Sequence, residues 1–406
     1  MAIKTADMAE ARVLARAVAG ATVLQLVPSL HEDALARAAV QIAHTLVQAG
    51  ARAIVGAEDG PLVSELRSFG GEWLPFASAT FNPIKLRRNA ETLGRFVAAE
   101  RVDIVHAKSA GAAWSALVAT DHNGVWLVTD LPELPRTRMR LASLYMSALG
   151  RGDRIIARSL FMAKPWMDRY RIPPERVKVI PPSIDTVRFD PATVRPERVA
   201  ALRQTWGIPS GVRIVLVPGR LAPWNGQLTL PNAARLLSDG GMRGVTFVLA
   251  GDDRRYLPYA RAVTNRANAA GVGALFRLVG HCADMPAAYA AADVVVVPSV
   301  VPPLYGRVVA EAQAMARPVV ASAIGPLPEN LLAPPRMPDD VRTGWLVRPG
   351  DAGELARALA TALALDAEHY RALAARARQF GEFAFSPQRA AAVMLEIYTS
   401  LLAVDR

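Results

Sequence analysis

Cysteine is nearly absent from these 406 residues, with Cys282 the one instance. A lone cysteine cannot close an internal disulfide, and with no CxxC pair and no cluster of histidines around it, no zinc site is readable. Long hydrophobic runs are missing as well. Hydrophobic residues make up 52% of the chain, but Ala-rich helical stretches supply much of that. No uninterrupted run of about 20 apolar residues occurs, so no membrane-spanning helix is expected. Within the first 20 residues, Glu10, Arg12 and Arg16 break up what would have to be the apolar core of a signal peptide. No secretion signal is readable, and a cytoplasmic location is expected.

Acidic side chains are outnumbered 36 to 47 by lysine and arginine, giving a net charge of +11. That balance admits nucleic acid, anionic lipid or a phosphorylated ligand as partner. Aromatics are only 6% of the residues and are not interleaved with the arginines, which are spread along the chain without any nucleic-acid module; nucleic acid is not expected. Local basic groups occur at Lys85, Arg87 and Arg88 and again at Arg136, Arg138 and Arg140. The second opens 136-RTRMRLASLYMSALGR-151, where Met139, Leu141, Leu144, Tyr145 and Met146 recur at helical spacing. Such a helix would lie on an anionic membrane. A solvated arginine face over an ordinary core stripe is the other reading of the same spacing.

What the chain has in quantity is alternation. Short β-branched runs at 22–27, 52–56, 103–107, 125–129, 154–158 and 177–181 are separated by Ala/Leu-rich stretches, the pattern of parallel βαβ units. One such stretch, 33–50, opens on Asp33 as predicted N-cap and closes on Gly50. The Pro-rich segment 181–191 reads as a linker. The alternation then restarts at 213–219, 245–251, 276–280, 293–299, 318–322 and 344–350, with helices at 351–365 and 386–404. The expected organisation is two Rossmann-like domains with parallel sheets facing across a cleft. They comprise residues 1–184, with 386–406 packing back on them, and 185–385.

The stretch 219-GRLAPWNGQ-227 follows the first strand of the second half and precedes a helix, a place where helix N-termini hold phosphates. It is one of several segments that agree in order and spacing with a single family. The others are 174-PPERVKVIPPSIDTVRFDP-191, 248-VLAGDD-253, 278-LVGHCADMPAAYAAADVVVVPS-299 and 306-GRVVAEAQAMARPVVAS-322, followed by Gly325, Glu329 and 343-TGWLVRPGD-351. Together they resemble the family-4 glycosyltransferases of the GT-B fold, which move a sugar from a nucleoside-diphosphate donor with retention of configuration.

The resemblance implies that Gly219 and Arg220 meet the donor diphosphate and that the Glu311 carboxylate accepts from the donor ribose hydroxyls. It implies further that backbone N–H groups around Leu304, Tyr305 and Gly306 meet the distal phosphate and sugar, and that the main chain at Val279 and Gly280 edges the nucleobase. The family needs no metal and no cofactor. Its acceptors are commonly envelope glycans or lipid-linked sugars.

Four positions depart from the family pattern. Asn225 stands where a lysine is usual, and Pro303 where an acidic residue is usual. Asp33 and Ala34 stand where two glycines let the first loop approach the diphosphate. Pro132 and Glu133 stand where a His-Gly pair lies near the reacting carbon. First-domain residues that would face the cleft are His31, Asp33 and Lys108, His31 also reading as an exposed loop histidine, with His106 read as a structural strand-end histidine; Asp252 and Asp253 are not read as a metal pair. Two functional readings follow: an active retaining transferase, and a pseudo-transferase kept as a binding or scaffolding partner. A nucleotide-sugar epimerase shares the two-domain shape but has no support in these motifs.

Overall fold

The computed structural model describes residues 17–133, 140–252 and 254–404. The chain divides into two compact units, Met1–Pro181 with Gln388–Arg406, and Pro182–Pro387.

The first unit is a seven-stranded parallel sheet in the order β3-β2-β1-β4-β5-β6-β7. Its strands are β1 (Thr22–Ser29), β2 (Arg52–Glu58), β3 (Glu72–Pro75), β4 (Ile104–Ala107), β5 (Trp126–Asp130), β6 (Arg154–Ala157) and β7 (Val177–Val179). Strand β3 was not visible in the sequence. It is a four-residue edge strand containing one proline, too short and too exposed to show alternation. Helices α1 (Ala34–Gln48), α2 (Leu62–Ser68), α3 (Pro83–Ala99), α4 (Ala110–Asn123), α5 (Arg140–Met146) and α6 (Leu160–Tyr170) complete the crossovers.

The second unit repeats the plan with six parallel strands in the order β10-β9-β8-β11-β12-β13. These are β8 (Arg213–Pro218), β9 (Val245–Ala250), β10 (Phe276–Gly280), β11 (Val294–Val297), β12 (Val319–Ser322) and β13 (Gly344–Val347). Its helices are α7 (Pro196–Thr205), α8 (Leu230–Asp239), α9 (Leu257–Ala269), α10 (Met285–Ala291), α11 (Arg307–Ala314), α12 (Ala352–Leu363) and α13 (Ala367–Phe385). The 19-residue α13 was missed in the sequence because it follows α12 after only a short break at Asp366, whose carboxylate caps it.

The central strands of both sheets are buried, largely β-branched runs covered by helices on both faces, while the edge strands β3, β7 and β10 are only partly buried. In each, the order reverses beside the first strand, between β1 and β4 and between β8 and β11. Crevices in such sheets open outside the carboxyl ends of strands at this switch point. The last helix, α14 (Pro387–Leu402), belongs to the first unit: Met394, Leu395, Ile397, Tyr398 and Leu401 pack into the core formed with Val23, Val27 and Leu30.

The segment 136–151 is not a single helix. Arg136, Arg138 and Met139 lie outside the described residues, α5 covers seven residues, and a 3-10 turn takes Ser147–Arg151. Its stripe is divided: Leu141 and Leu144 are 78% and 56% exposed, whereas Tyr145 and Met146 pack against the core of the first unit. Tyr145 is held by donating to the Thr80 carbonyl at 3.0 Å and by its ring contact with Phe81.

Candidate functional site

At the switch point of the second unit, the ends of β8 and β11 and the start of α11 line a pocket of about 240 Å³. Three loops build it. The first follows β8, where Gly219 has φ of +122° and a 3-10 turn, Pro223–Asn225, leads to Gly226. Gly226 is forced: φ is +70°, and a Cβ there would stand 2.0 Å from the Pro298 carbonyl oxygen. The Asn225 side chain donates to the Arg220 carbonyl at 2.7 Å, and Gln227 donates to the same oxygen at 3.0 Å. Residue 225 therefore closes the loop on itself. Gln227 is 1% exposed, and its Oε1 has no hydrogen-bond partner.

The second loop is 298–306, after β11. Leu304 and Tyr305 are half exposed, and Asn330 anchors the loop by donating to the Tyr305 carbonyl at 2.9 Å. Gly306 caps α11 with φ of +66°, and no side chain bonds the first N–H groups of the helix. An uncapped helix start offers unpaired N–H donors and a partial positive charge.

The third element is α11 itself. Arg307 lines the pocket and donates from Nε to Glu311 Oε1 at 2.7 Å, while the Tyr289 hydroxyl donates to Glu311 Oε2 at 2.9 Å. Burial, and then the neighbouring carboxylate, push the Tyr289 phenol well above its ordinary pKa, so it remains a donor. Glu311 is 8% exposed and held from both sides.

Of the residues singled out in the sequence, Gly219, Asn225, Leu304, Tyr305 and Gly306 line this pocket, as does Pro303. Glu311 joins them through Arg307. Arg220 is exposed and outside the lining, and its charge helps hold the Asp252 carboxyl down, after the stronger effect of Arg254. Val279 and Gly280 end the edge strand β10, two strands from β8, and also lie outside it. Asp252 chelates Arg254; Asp253 lies outside the described residues. Among the described residues no cluster of three or more His, Cys, Asp or Glu side chains could hold a metal ion.

Sequence reading missed Arg307, Gln227 and Tyr289. The i,i+4 spacing of Arg307 and Glu311 on one helix was a usable signal. Nothing in the sequence marked Gln227 or Tyr289.

The first unit corrects one expectation and bears out another. Lys108, expected as a cation entering the cleft, is buried and points into the protein: its Nζ donates to Asp130 Oδ2 at 3.0 Å. Asp33 carries out its predicted capping, accepting from the N–H groups of Leu35 and Ala36 at 2.8 Å each. Its carboxylate thereby occupies donors that an anionic ligand would use. His31 is exposed beside it. Pro132 is anchored through its carbonyl, which accepts from Trp166 Nε1 at 3.0 Å.

His106 belongs to the same buried cluster as Lys108. Nδ1 lies 2.8 Å from the Tyr398 hydroxyl on α14, and Nε2 lies 2.9 Å from Asp130 Oδ1. A carboxylate can only accept here, so Nε2 carries the proton and Nδ1 accepts from Tyr398. Burial, reinforced by the Lys108 charge, pulls His106 down to about 4, so the ring is neutral. Burial pushes the Asp130 carboxyl up, but Lys108, His106 and Arg158 outweigh it and hold it well below the carboxylate range. Burial also lowers Lys108, with Asp130 opposing.

The family described as "Glycosyl transferases group 1" matches residues 212–364, and that described as "Glycosyltransferase Family 4" matches residues 35–188. A D-inositol 3-phosphate glycosyltransferase of Geodermatophilus obscurus is 30% identical over 354 residues, covering 82% of this chain and 72% of that protein. One from Saccharomonospora viridis is 31% identical over 283 residues, covering 68% of this chain but only 61% of its own length. Among solved structures, a glycosyltransferase from Rickettsia africae superposes with a TM-score of 0.76 at 26% identity, over 94% of this chain and 99% of that one. Anabaena Alr3699/HepE, solved with UDP, gives 0.69 at 22% identity over 94% and 100%, a likeness of fold. With two doubly wound sheets, matching families along both, and a relative aligned over most of both chains, this protein belongs to the group 1, family 4 glycosyltransferases.

Proposed function

We propose that the chain transfers a hexose from a nucleoside-diphosphate sugar to a hydroxyl acceptor with retention of configuration, without a metal ion or cofactor. The observation that carries this is the switch-point pocket of the second unit. The uncapped start of α11 and Arg307 line that space, and the Glu311 carboxylate lies directly behind Arg307, which together supply donors for phosphate and an acceptor for hydroxyls. In the reaction, the anomeric carbon leaves the diphosphate oxygen and the acceptor hydroxyl bonds on the same face, its proton departing with the diphosphate. No protein nucleophile is required. The N–H groups at the start of α11 stabilise the charge that develops on the leaving group, with the Arg220 guanidinium supplied from the loop outside the pocket lining.

The acceptor side of the proposal is an envelope glycan or lipid-linked sugar reached at the cytoplasmic face of an anionic bilayer. Exposed Phe81, Ile84, Leu141 and Leu144 occur with Lys85, Arg87, Arg88 and Arg140 on the segments joined by the Phe81–Tyr145 contact. No helix among the described residues is long and apolar enough to cross a membrane. The named relatives make D-inositol 3-phosphate the first soluble acceptor to test.

A second reading, nucleotide binding without turnover, is favoured by the internally capped start of α1 and the burial of Lys108. Incubation with UDP-, GDP- and ADP-hexoses separates the two. Acceptor-dependent release of the nucleoside diphosphate, with the donor's anomeric configuration kept in the product by NMR, supports transfer. Calorimetric binding of a donor with no release supports the second reading, and no binding of any donor overturns both.

A further inference from the structure

The two substitutions at 225 and 303 cancel in charge. Against the family pattern, Asn225 removes one positive charge from the donor loops and Pro303 removes one negative. The pocket they share has a cation that this pattern does not account for. Arg307 is the first residue of α11, directly after Gly306, and stands on the same lining as Gly219 and Asn225. Its Nε is tied to Glu311, and its side chain is 66% exposed, so the remaining guanidinium N–H donors face outward. Tyr289 grips the far oxygen of Glu311, which fixes the carboxylate and, through it, the guanidinium. Without Arg307 the pocket would lose a donor beside the helix start and would also uncover the Glu311 carboxylate.

We infer that Arg307 is the second diphosphate-binding cation of the donor site and binds the distal phosphate in the role that residue 225 does not fill. This rests on the nucleotide-sugar reading above. The test is calorimetry on the full chain with UDP, GDP and ADP and with the matching monophosphates, for the wild type, Arg307→Met and Arg307→Lys. Arg307→Met is expected to weaken the bound diphosphate roughly 10- to 100-fold and its monophosphate less than about threefold, with Arg307→Lys recovering most of the loss. Equal weakening of both nucleotides would mean that Arg307 only orients Glu311, and would overturn the proposal. Unchanged diphosphate affinity in Arg307→Met, with normal wild-type binding, would overturn it while leaving the donor reading intact. A wild type that binds none of the three diphosphates would remove both.

Discussion

Each unit holds a cation, a carboxylate and a tyrosine in contact, and the two sets behave differently. In the first, Lys108, Asp130, His106 and Tyr398 are buried, and the cluster's donors and acceptors pair with one another. In the second, Glu311 is equally fixed, but its partner Arg307 is largely exposed and an adjacent amide oxygen is unpaired. A buried charge pair that satisfies itself has no capacity left for a ligand, and its job is to hold α14 against β4 and β5. A pair open at one end can bind. A buried trio of shifted groups, His106, Lys108 and Asp130, sits in the first unit and a shifted Tyr289 beside Glu311 in the second, so titration alone does not tell the structural cluster from the site.

Removing the shared carboxylate breaks this contrast most severely. Asp130→Ala leaves Lys108 and His106 buried without their acceptor, which costs about 3–5 kcal/mol of stability. Peptide-resolved hydrogen exchange should show protection falling in β4, β5 and α14 while β8 to β13 keep theirs. Nucleotide affinity lost without any change in exchange would reverse the assignment and make the cluster a ligand site.

The pH dependence comes next in size. His106 titrates near 4 in the fold and near 6.5 when unfolded, so the unfolded chain takes up the proton first as pH falls. The contribution is present above pH 6.5 and is lost between about 6.5 and 4, amounting to roughly 3 kcal/mol. Asp130, held low in the fold, adds a further loss at more acidic pH, in the same direction. The denaturation midpoint of His106→Asn should vary less than that of the wild type across this window. Parallel curves would show that the ring takes up its proton in the fold as readily as in the unfolded chain, and would overturn the buried neutral imidazole.

Glu311→Gln sharpens the comparison from the other side. The amide oxygen still accepts from Tyr289, so stability should change by less than about 1 kcal/mol. Ribose hydroxyls lose a charged acceptor and Arg307 loses its anchor, so monophosphate affinity should fall by about 1–2 kcal/mol and diphosphate affinity by somewhat more. A fall confined to the diphosphate would place Glu311 away from the ribose.

Among the described residues, twelve of the thirteen strands were legible in the sequence because parallel strands in a covered sheet read as short β-branched runs set between Ala/Leu-rich helical stretches. The exception, β3, is exposed at an edge. The frame of the donor loops was legible too, since glycines such as Gly226 and Gly306 are dictated by backbone geometry that leaves a mark in one place along the chain. Side-chain direction was not legible. Lys108 follows a strand at the switch point, yet its orientation is set by Asp130, 22 residues away, and by burial under α14. The partnership of Tyr289 with Glu311 likewise depends on the packing of α10 against α11, which no local pattern encodes.

The smallest effect is expected at the most conspicuous substitution. Asn225→Lys restores the usual family residue, but Asn225 is one of two side chains holding the Arg220 carbonyl, and Gln227 keeps its own bond to that oxygen. Losing one of two donors on a partly exposed loop should cost under about 1 kcal/mol of stability. The added charge stands in a pocket already served by Arg307 and the start of α11, at a solvent-reached position where ionic contacts are worth about 0–1 kcal/mol. Diphosphate affinity should therefore rise less than about fivefold. Adding Pro303→Glu should cancel that gain by returning the negative charge. If calorimetry instead gave a gain of a hundredfold for Asn225→Lys, the pocket would have been short of a cation, and Arg307 would be serving Glu311 alone.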